Sequence, residues 1–319
     1  VRIAFFGLPL AALLLARDGH AVVYAATSSR GPGLRRLRAT LGTTARVEVA
    51  PDLSRHAAVG AIRETRPDLL VSWFWTTKLP SEVLAIRPAI GVHPSLLPRH
   101  RGPDPYYWTI ASGDPVTGVT AHRLDAEYDT GAVLAQRSLP IDPGWNAWRL
   151  ARALDRPSLA LLREVVRAYA EGRPPAESPQ DERFATQAPA LTDEDLAVRW
   201  SDSAADVERR VRAAAPWPGA WTEIGDRIVI LERVRPATDF PKALVAGEAA
   251  VRKDGVAVVR TGDTAVELLR GRDGDDDAVL LAPDLAALVV AAHRGPCDER
   301  DGTRDGTGDA TRAGKTGDE

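Results

Sequence analysis

Cysteine is almost absent from this 319-residue chain: Cys297 stands alone. A disulfide framework and a cysteine-rich metal site are therefore excluded, and a reducing cytosol suits the composition. No apolar or basic pocket surrounds Cys297 in sequence, so an inert thiol is expected. Methionine is missing and arginine outnumbers lysine, which reads as coding bias and says little about function. No apolar run approaches the ~18 residues of a membrane span; the stretch Ala11 to Leu15 stops at Arg17-Asp18. The opening Val1-Arg2-Ile3-Ala4-Phe5-Phe6 lacks the basic start and long apolar run of a secretory leader. A cytoplasmic protein is the expectation. A net charge of -3 excludes a uniformly basic surface, though not a local basic patch.

What is present is ordinary for a globular protein, with 44% hydrophobic and 27% charged residues, and the length suggests two domains. Arg2–Gly7, Ala21–Ala26, Val47–Val49 and Asp68–Phe74 read as buried strands. Helical spacing falls between them, at Leu10–Arg17, in the arginine-rich piece ending at Leu41, at His56–Arg66 and from Ser81. Strands alternating with helices predict an α/β unit on a parallel sheet. Trp148–Ala170 reads as a long amphipathic helix that Pro157 kinks or splits. From about Arg173 to Arg199 the chain is polar and irregular. A helix over Ser203–Ala215 then precedes short strand-like pieces between Gly-Asp turns, as in a small β-barrel. The division expected is a Rossmann-like catalytic unit over 1–172, a linker over 173–199, an OB-like barrel over 200–293 and a disordered tail over 294–319.

Two short motifs carry chemistry. The first is Gly91-Val92-His93-Pro94-Ser95-Leu96-Leu97-Pro98, leading into Arg99-His100-Arg101-Gly102. It is expected in a loop just after a strand, where open α/β sheets hold ligands. The second is Asp125-Ala126-Glu127-Tyr128-Asp129-Thr130-Gly131. A histidine and an aspartate brought together from two loops can take, hold and return a proton. Either residue alone has simpler uses: a histidine bonded to backbone, or an Asx turn ahead of Gly131. The pair in this wording is far more specific. His20 and His122 are expected to pack or bond locally. Tyr106-Tyr107-Trp108 is expected in the core, with an acceptor pocket as the alternative. Trp217 and Trp221 are expected in the core of the second domain, and Asp275-Asp276-Asp277 as an acidic turn and not a metal site.

The segment Ile90–Pro105, with the later DAEYDTG stretch, resembles the signature of the folate-dependent formyltransferases. The resemblance implies 10-formyltetrahydrofolate as co-substrate and an amine as acceptor. It makes His93 and Asp129 the catalytic pair and Ser95, Leu96, Leu97 and Pro98 the wall beside the folate ring. Ala185–Thr192 and Arg212–Trp221 resemble the linker and second domain of members that act on methionyl-tRNA, so initiator methionyl-tRNA is one candidate acceptor. Arg30, Arg35, Arg36 and Arg38 correspond to an acceptor-gripping basic insertion, although a solvated helix face is the competing reading.

The chain departs from the family pattern in several places. Gly91 stands where most members have asparagine; if that amide stabilises the oxyanion, its loss costs on the order of a hundredfold to a thousandfold. The first helix is about a turn short, the basic insertion is reduced, and Ala190 replaces a basic linker residue. Hydrolysis of the donor, with water in the space beside Gly91, formylation of a small amine, and a weakened folate or tRNA binder remain alternatives.

Overall fold

The computed structural model describes residues 1–28 and 33–294. Arg30, Cys297 and the tail expected to be disordered lie outside the described residues. The first sheet contains β1 (Arg2–Gly7), β2 (Ala21–Thr27), β3 (Arg46–Val49), β4 (Leu69–Trp73), β5 (Ala89–His93), β6 (Val116–Arg123) and β7 (Val133–Pro140). Their order is β3-β2-β1-β4-β5-β6-β7. The first five run parallel, while β6 pairs antiparallel with β5, and β7 with β6. The sheet is therefore mixed, and its antiparallel edge carries no expectation from the sequence.

Side-chain alternation gives the sheet two cores. Ile3, Phe5, Val71 and Ile90 face α1 (Pro9–Arg17) and α2 (Leu34–Leu41). Ala4, Phe6, Leu70 and Ala89 face α3 (His56–Glu64) and α4 (Ser81–Leu84). This is the period of two that a strand imposes. On the first face also lie α5 (Pro105–Ala111) and α6 (Ala147–Ala170). Helix α6 starts on the Asn146 side chain, which accepts from the Arg149 amide, and runs unbroken through Pro157. Just beyond the proline, buried Ser158 accepts a hydrogen bond from the Trp73 indole, locking the helix onto β4.

After a short turn, α7 (Asp193–Leu196), capped by Thr192, α8 (Ala204–Ala214) follows, capped by Ser203. The second sheet holds β8 (Ala220–Ile224), β9 (Arg227–Ala237), β10 (Ala249–Val251), β11 (Ala257–Arg260), β12 (Ala265–Asp273) and β13 (Val279–Leu281). Its order is β10-β11-β12-β9-β8, with β13 also on β12, and all its pairs are antiparallel. It is a curled half-barrel whose ends, β8 and β10, both pack on α9 (Ala282–Arg294). Helix α9 is absent from the sequence reading. Trp217 is 68% exposed, so the expectation of a core tryptophan there is corrected; Trp221 is half-buried, with its indole on the Asp193 carbonyl. One apolar core continues from α6 through α8 into the second sheet. Among the described residues, no helix is long and apolar enough to cross a membrane.

The α6 core predicts a contrast. Leu162 is fully buried, and Leu162→Ala should lower unfolding free energy by about 2–5 kcal/mol. Trp148, 55% exposed on the same helix, should cost no more than about 0.5 kcal/mol when changed to alanine. Urea titrations of both variants check this.

Candidate active site

Strand register builds the site. Gly91 and His93 lie on the same side of β5 because they are two residues apart, and His122 of β6 pairs opposite Gly91. The two imidazoles are thus diagonal cross-strand neighbours, with ring centres 6.5 Å apart and planes nearly perpendicular. Gly91, Val92 and His93 belong to the strand itself; the expected loop begins only at Pro94.

Asp129 reaches this pair from the loop after β6. Its Oδ2 lies 3.4 Å from His93 Nδ1 and its Oδ1 lies 3.5 Å from His122 Nε2. Each ring turns its other nitrogen to a backbone carbonyl. His93 Nε2 donates to His100 O at 2.7 Å, and His122 Nδ1 donates to Arg123 O at 2.8 Å. Those carbonyls fix where each ring carries its N–H, so in the neutral rings each carboxylate-facing nitrogen carries the lone pair. The only short hydrogen bond on the carboxylate among these contacts comes from the Gly102 amide, at 2.9 Å to Oδ2. Burial holds the His122 pKa below the ordinary histidine value, against the pull of Asp129.

Two backbone features make this approach possible. Asp129 has φ 57°, a left-handed conformation uncommon outside glycine. Gly102 has φ 123°, and a Cβ there would fall 2.6 Å from Ala188 O, so only glycine lets its amide approach Asp129. Within the loop, Asp125 accepts from the Thr130 hydroxyl at 2.8 Å and from the Glu127 amide.

His93, Asp129, His122 and Gly91 line one solvent-open cleft. Its apolar walls come from Phe74, Trp75, Leu79, Leu124 and Tyr106. Such a mixture suits a flat, partly aromatic ligand with a few polar anchors. Lys78 bridges the mouth to Glu127 at 2.8 Å and lies over the Tyr128 ring. The segment Phe74–Leu79 carries no site expectation from the sequence, because nothing in its wording marks it as a wall. His122 was expected to bond locally; it does so through Nδ1, yet its other nitrogen faces the cleft aspartate. Only strand pairing exposes that second role.

Ser95, Leu96, Leu97 and Pro98 do not line this cleft, which revises the folate-wall expectation for them. Ser95 and Leu97 are buried. The Ser95 hydroxyl donates to Arg99 O, and Thr120 and Gln136 tie the carbonyls of Ser95 and Leu97 to β6 and β7. A Cβ at Gly118 would strike Leu96, which therefore packs closely on β6. Their apolar character serves burial, and the segment is the scaffold that holds His93. Arg35, Arg36 and Arg38 are exposed on α2, whose Leu37 and Leu41 are buried. None of the three reaches the cleft lining.

Leu124 crowds the cleft side of Gly91. A Cβ at this position would lie 2.9 Å from Leu124 Cδ2, so Leu124 fills the room that a larger residue would need. Among the described residues, no cluster of metal-ligating side chains occurs.

Two predictions follow from this packing and burial. Gly91→Asn should destabilise by about 1–3 kcal/mol through overpacking, and adding Leu124→Ala should cost at least about 0.5 kcal/mol less than the two single changes together. A double-mutant cycle in urea measures this; strict additivity would remove Leu124 as the obstacle. For pH, the folded protein disfavours protonated His122, so the unfolded chain binds more protons between its ordinary pKa of 6.5 and the lowered folded value. His122 thus contributes stability that is present above about pH 6.5 and lost as pH falls through the folded value. His122→Asn should flatten the stability–pH curve in that window, as urea midpoints at about pH 7.5 and about pH 5.5 would report.

The formyl transferase family model matches residues 22–166, and the model of the formyl transferase C-terminal domain matches residues 190–279. The methionyl-tRNA formyltransferase of Roseiflexus castenholzii is 37% identical over 209 residues, 65% of this chain and 66% of its own. That of Roseiflexus sp. is 40% identical over 168 residues, 52% of this chain and 51% of its own. In these two the match spans half to two thirds of the relative. That of Anaeromyxobacter dehalogenans is 35% identical over 290 residues, covering 85% of this chain and 91% of its own. The fold is similar to HypX from Aquifex aeolicus in complex with tetrahydrofolic acid, with TM-score 0.59, 23% identity, and 91% of this chain and 47% of that one covered. It is also similar to an N-formyltransferase from Helicobacter canadensis in complex with folinic acid and dTDP-3-aminofucose, with TM-score 0.61, 11% identity, and coverage of 84% and 98%. Matched along both its units, the chain belongs to the family of folate-dependent formyltransferases.

Proposed function

We propose that this formyltransferase formylates the amino group of methionyl-tRNA in the cytoplasm, with His93 and Asp129 carrying the proton steps. The formyl donor of its family is 10-formyltetrahydrofolate, which supplies the one-carbon unit. The donor fits the apolar cleft, with its aromatic side chains Phe74, Trp75 and Tyr106, better than the Ser95–Pro98 segment, which lies outside it with Ser95 and Leu97 buried. We assign residues 1–172 to donor binding and chemistry, 173–199 to the connection, and 200–293 to placing the acceptor.

The observation that carries this reading is the position of the Asp129 carboxylate between His93 Nδ1 at 3.4 Å and His122 Nε2 at 3.5 Å, on the cleft wall. Attack by an amine requires its nitrogen to lose a proton, and the departing folate nitrogen requires one. Between them, His93 and Asp129 accept the first proton and return it. His122, kept short of protons by burial, leaves the Asp129 charge available to His93. Gly91 offers no side-chain donor to the formyl oxygen, so charge stabilisation falls to other groups on the wall. For the acceptor, support comes from the long match to relatives bearing that name and from the exposed arginines of α2. A small cationic amine is the second reading, favoured by exposed Asp125 and Glu127 on the cleft rim.

Purified protein with 10-formyltetrahydrofolate and a panel of amines, methionyl-tRNA included, tests this, with products identified by mass spectrometry. Formyl-methionyl-tRNA is expected. His93→Ala and Asp129→Asn should each lower kcat/KM by about 10²–10⁴-fold. Undiminished transfer in His93→Ala, or formate release at a rate that no acceptor changes, contradicts the proposal.

A further inference from the structure

The stretch expected to be a passive linker makes an unusual set of contacts with the site. Its Ser178 exchanges two backbone hydrogen bonds with Val133, at 2.8 and 2.9 Å, at the start of β7. Gln180 then uses its whole amide. Nε2 donates to the carbonyls of Asp129 and Gly131, both at 2.7 Å. Oε1 accepts from Arg101 Nε at 3.0 Å and Nη2 at 2.8 Å. Arg101 is only 4% exposed, so its guanidinium depends on such partners. Further along, Thr186 Oγ1 accepts from the His100 amide at 2.8 Å, the Arg101 amide donates to Thr186 O at 2.9 Å, and the Ala188 amide donates to Arg101 O at 2.6 Å.

These bonds grip both partners of the His93 ring. On one side is His100, whose carbonyl receives the Nε2 proton; on the other is Asp129, whose carboxylate faces Nδ1. Both residues hold left-handed backbone, with φ 58° at His100 and φ 57° at Asp129. Residues other than glycine keep such a conformation only where their surroundings over-determine it. We infer that residues 178–188 form a strap that holds the Asp129 loop and the His100 carbonyl in register around His93, with Gln180 as its central positioning residue. The inference rests on the proposed proton role of His93 and Asp129. It assigns a positioning role to a polar, irregular segment read from the sequence only as a linker, and it makes the arrival of the chain at the second domain part of the active site.

Gln180→Glu tests it, because an oxygen then replaces the nitrogen that donates to two carbonyls. Gln180→Met keeps the length without polarity, and Arg183→Ala, whose side chain bonds Asp181 within the strap, is the control. Two readouts are taken: steady-state formyl transfer, and hydrogen exchange of a peptide covering 125–131. Both Gln180 variants should lower kcat by about 10–100-fold, with KM for 10-formyltetrahydrofolate within about twofold, since misplacement costs rate more than binding. Exchange in 125–131 should quicken at least about tenfold, with β1 and β4 unchanged. Arg183→Ala should match the parent protein. Unchanged exchange in 125–131, a general rise that includes β1 and β4, or parental kcat in both Gln180 variants would overturn the inference. If the parent protein itself transfers no formyl group, the proposed function fails, while the exchange data still decide whether the strap holds the loop.

Discussion

A single carboxylate organises this molecule. Asp129 stands between two imidazoles, each of which has already committed one nitrogen to a backbone carbonyl. Neither imidazole contact is within ordinary hydrogen-bond length, whereas the Gly102 amide is. The carboxylate is therefore anchored from its backbone side and loosely held towards the cleft. That geometry differs from a closely bonded, permanent ion pair.

The rest of the fold can be understood as what this placement requires. The antiparallel step from β5 to β6 sets His122 opposite Gly91 and diagonal to His93. The buried Ser95–Leu97 turn, tied to β6 and β7 through Thr120 and Gln136, fixes the exit of β5. Glycine at 102 allows an amide to reach Asp129, and glycine at 131 is equally constrained, since a Cβ would meet Arg123 O at 2.0 Å. Leu124 closes against Gly91, so the absence of a side chain there is matched by its neighbour and is not an isolated loss. The continuous core through α6 and α8 then joins the second sheet to this framework.

Much of the fold was legible because hydrophobic burial leaves a periodic trace. The strands β1, β2 and β4 read as apolar runs, and the caps of α8 and the end of α6 at Gly172 read as local chemistry. Strands β6 and β7 went unread, since VTGVTAHR is polar in wording although buried along most of its length. Motif spacing singles out His93 and Asp129, and the structure brings the two to one cleft. Spacing does not single out His122, because its role follows from which residue it meets across the sheet. Leu96 and Leu97 misled for the converse reason: an apolar side chain can wall a ligand or fill a core, and only the fold separates the two. The contacts of the linker were hidden similarly, since Gln180 bonds to carbonyls that any sequence would offer.

The arrangement around Asp129 depends on which nitrogens of the two histidines carry their protons. Nitrogen-15 NMR of histidine-labelled protein, followed from about pH 5 to about pH 9, measures this directly. His93 Nε2 and His122 Nδ1, each against a carbonyl, should remain protonated throughout. Loss of the proton from either carbonyl-facing nitrogen in that range would contradict the arrangement around Asp129.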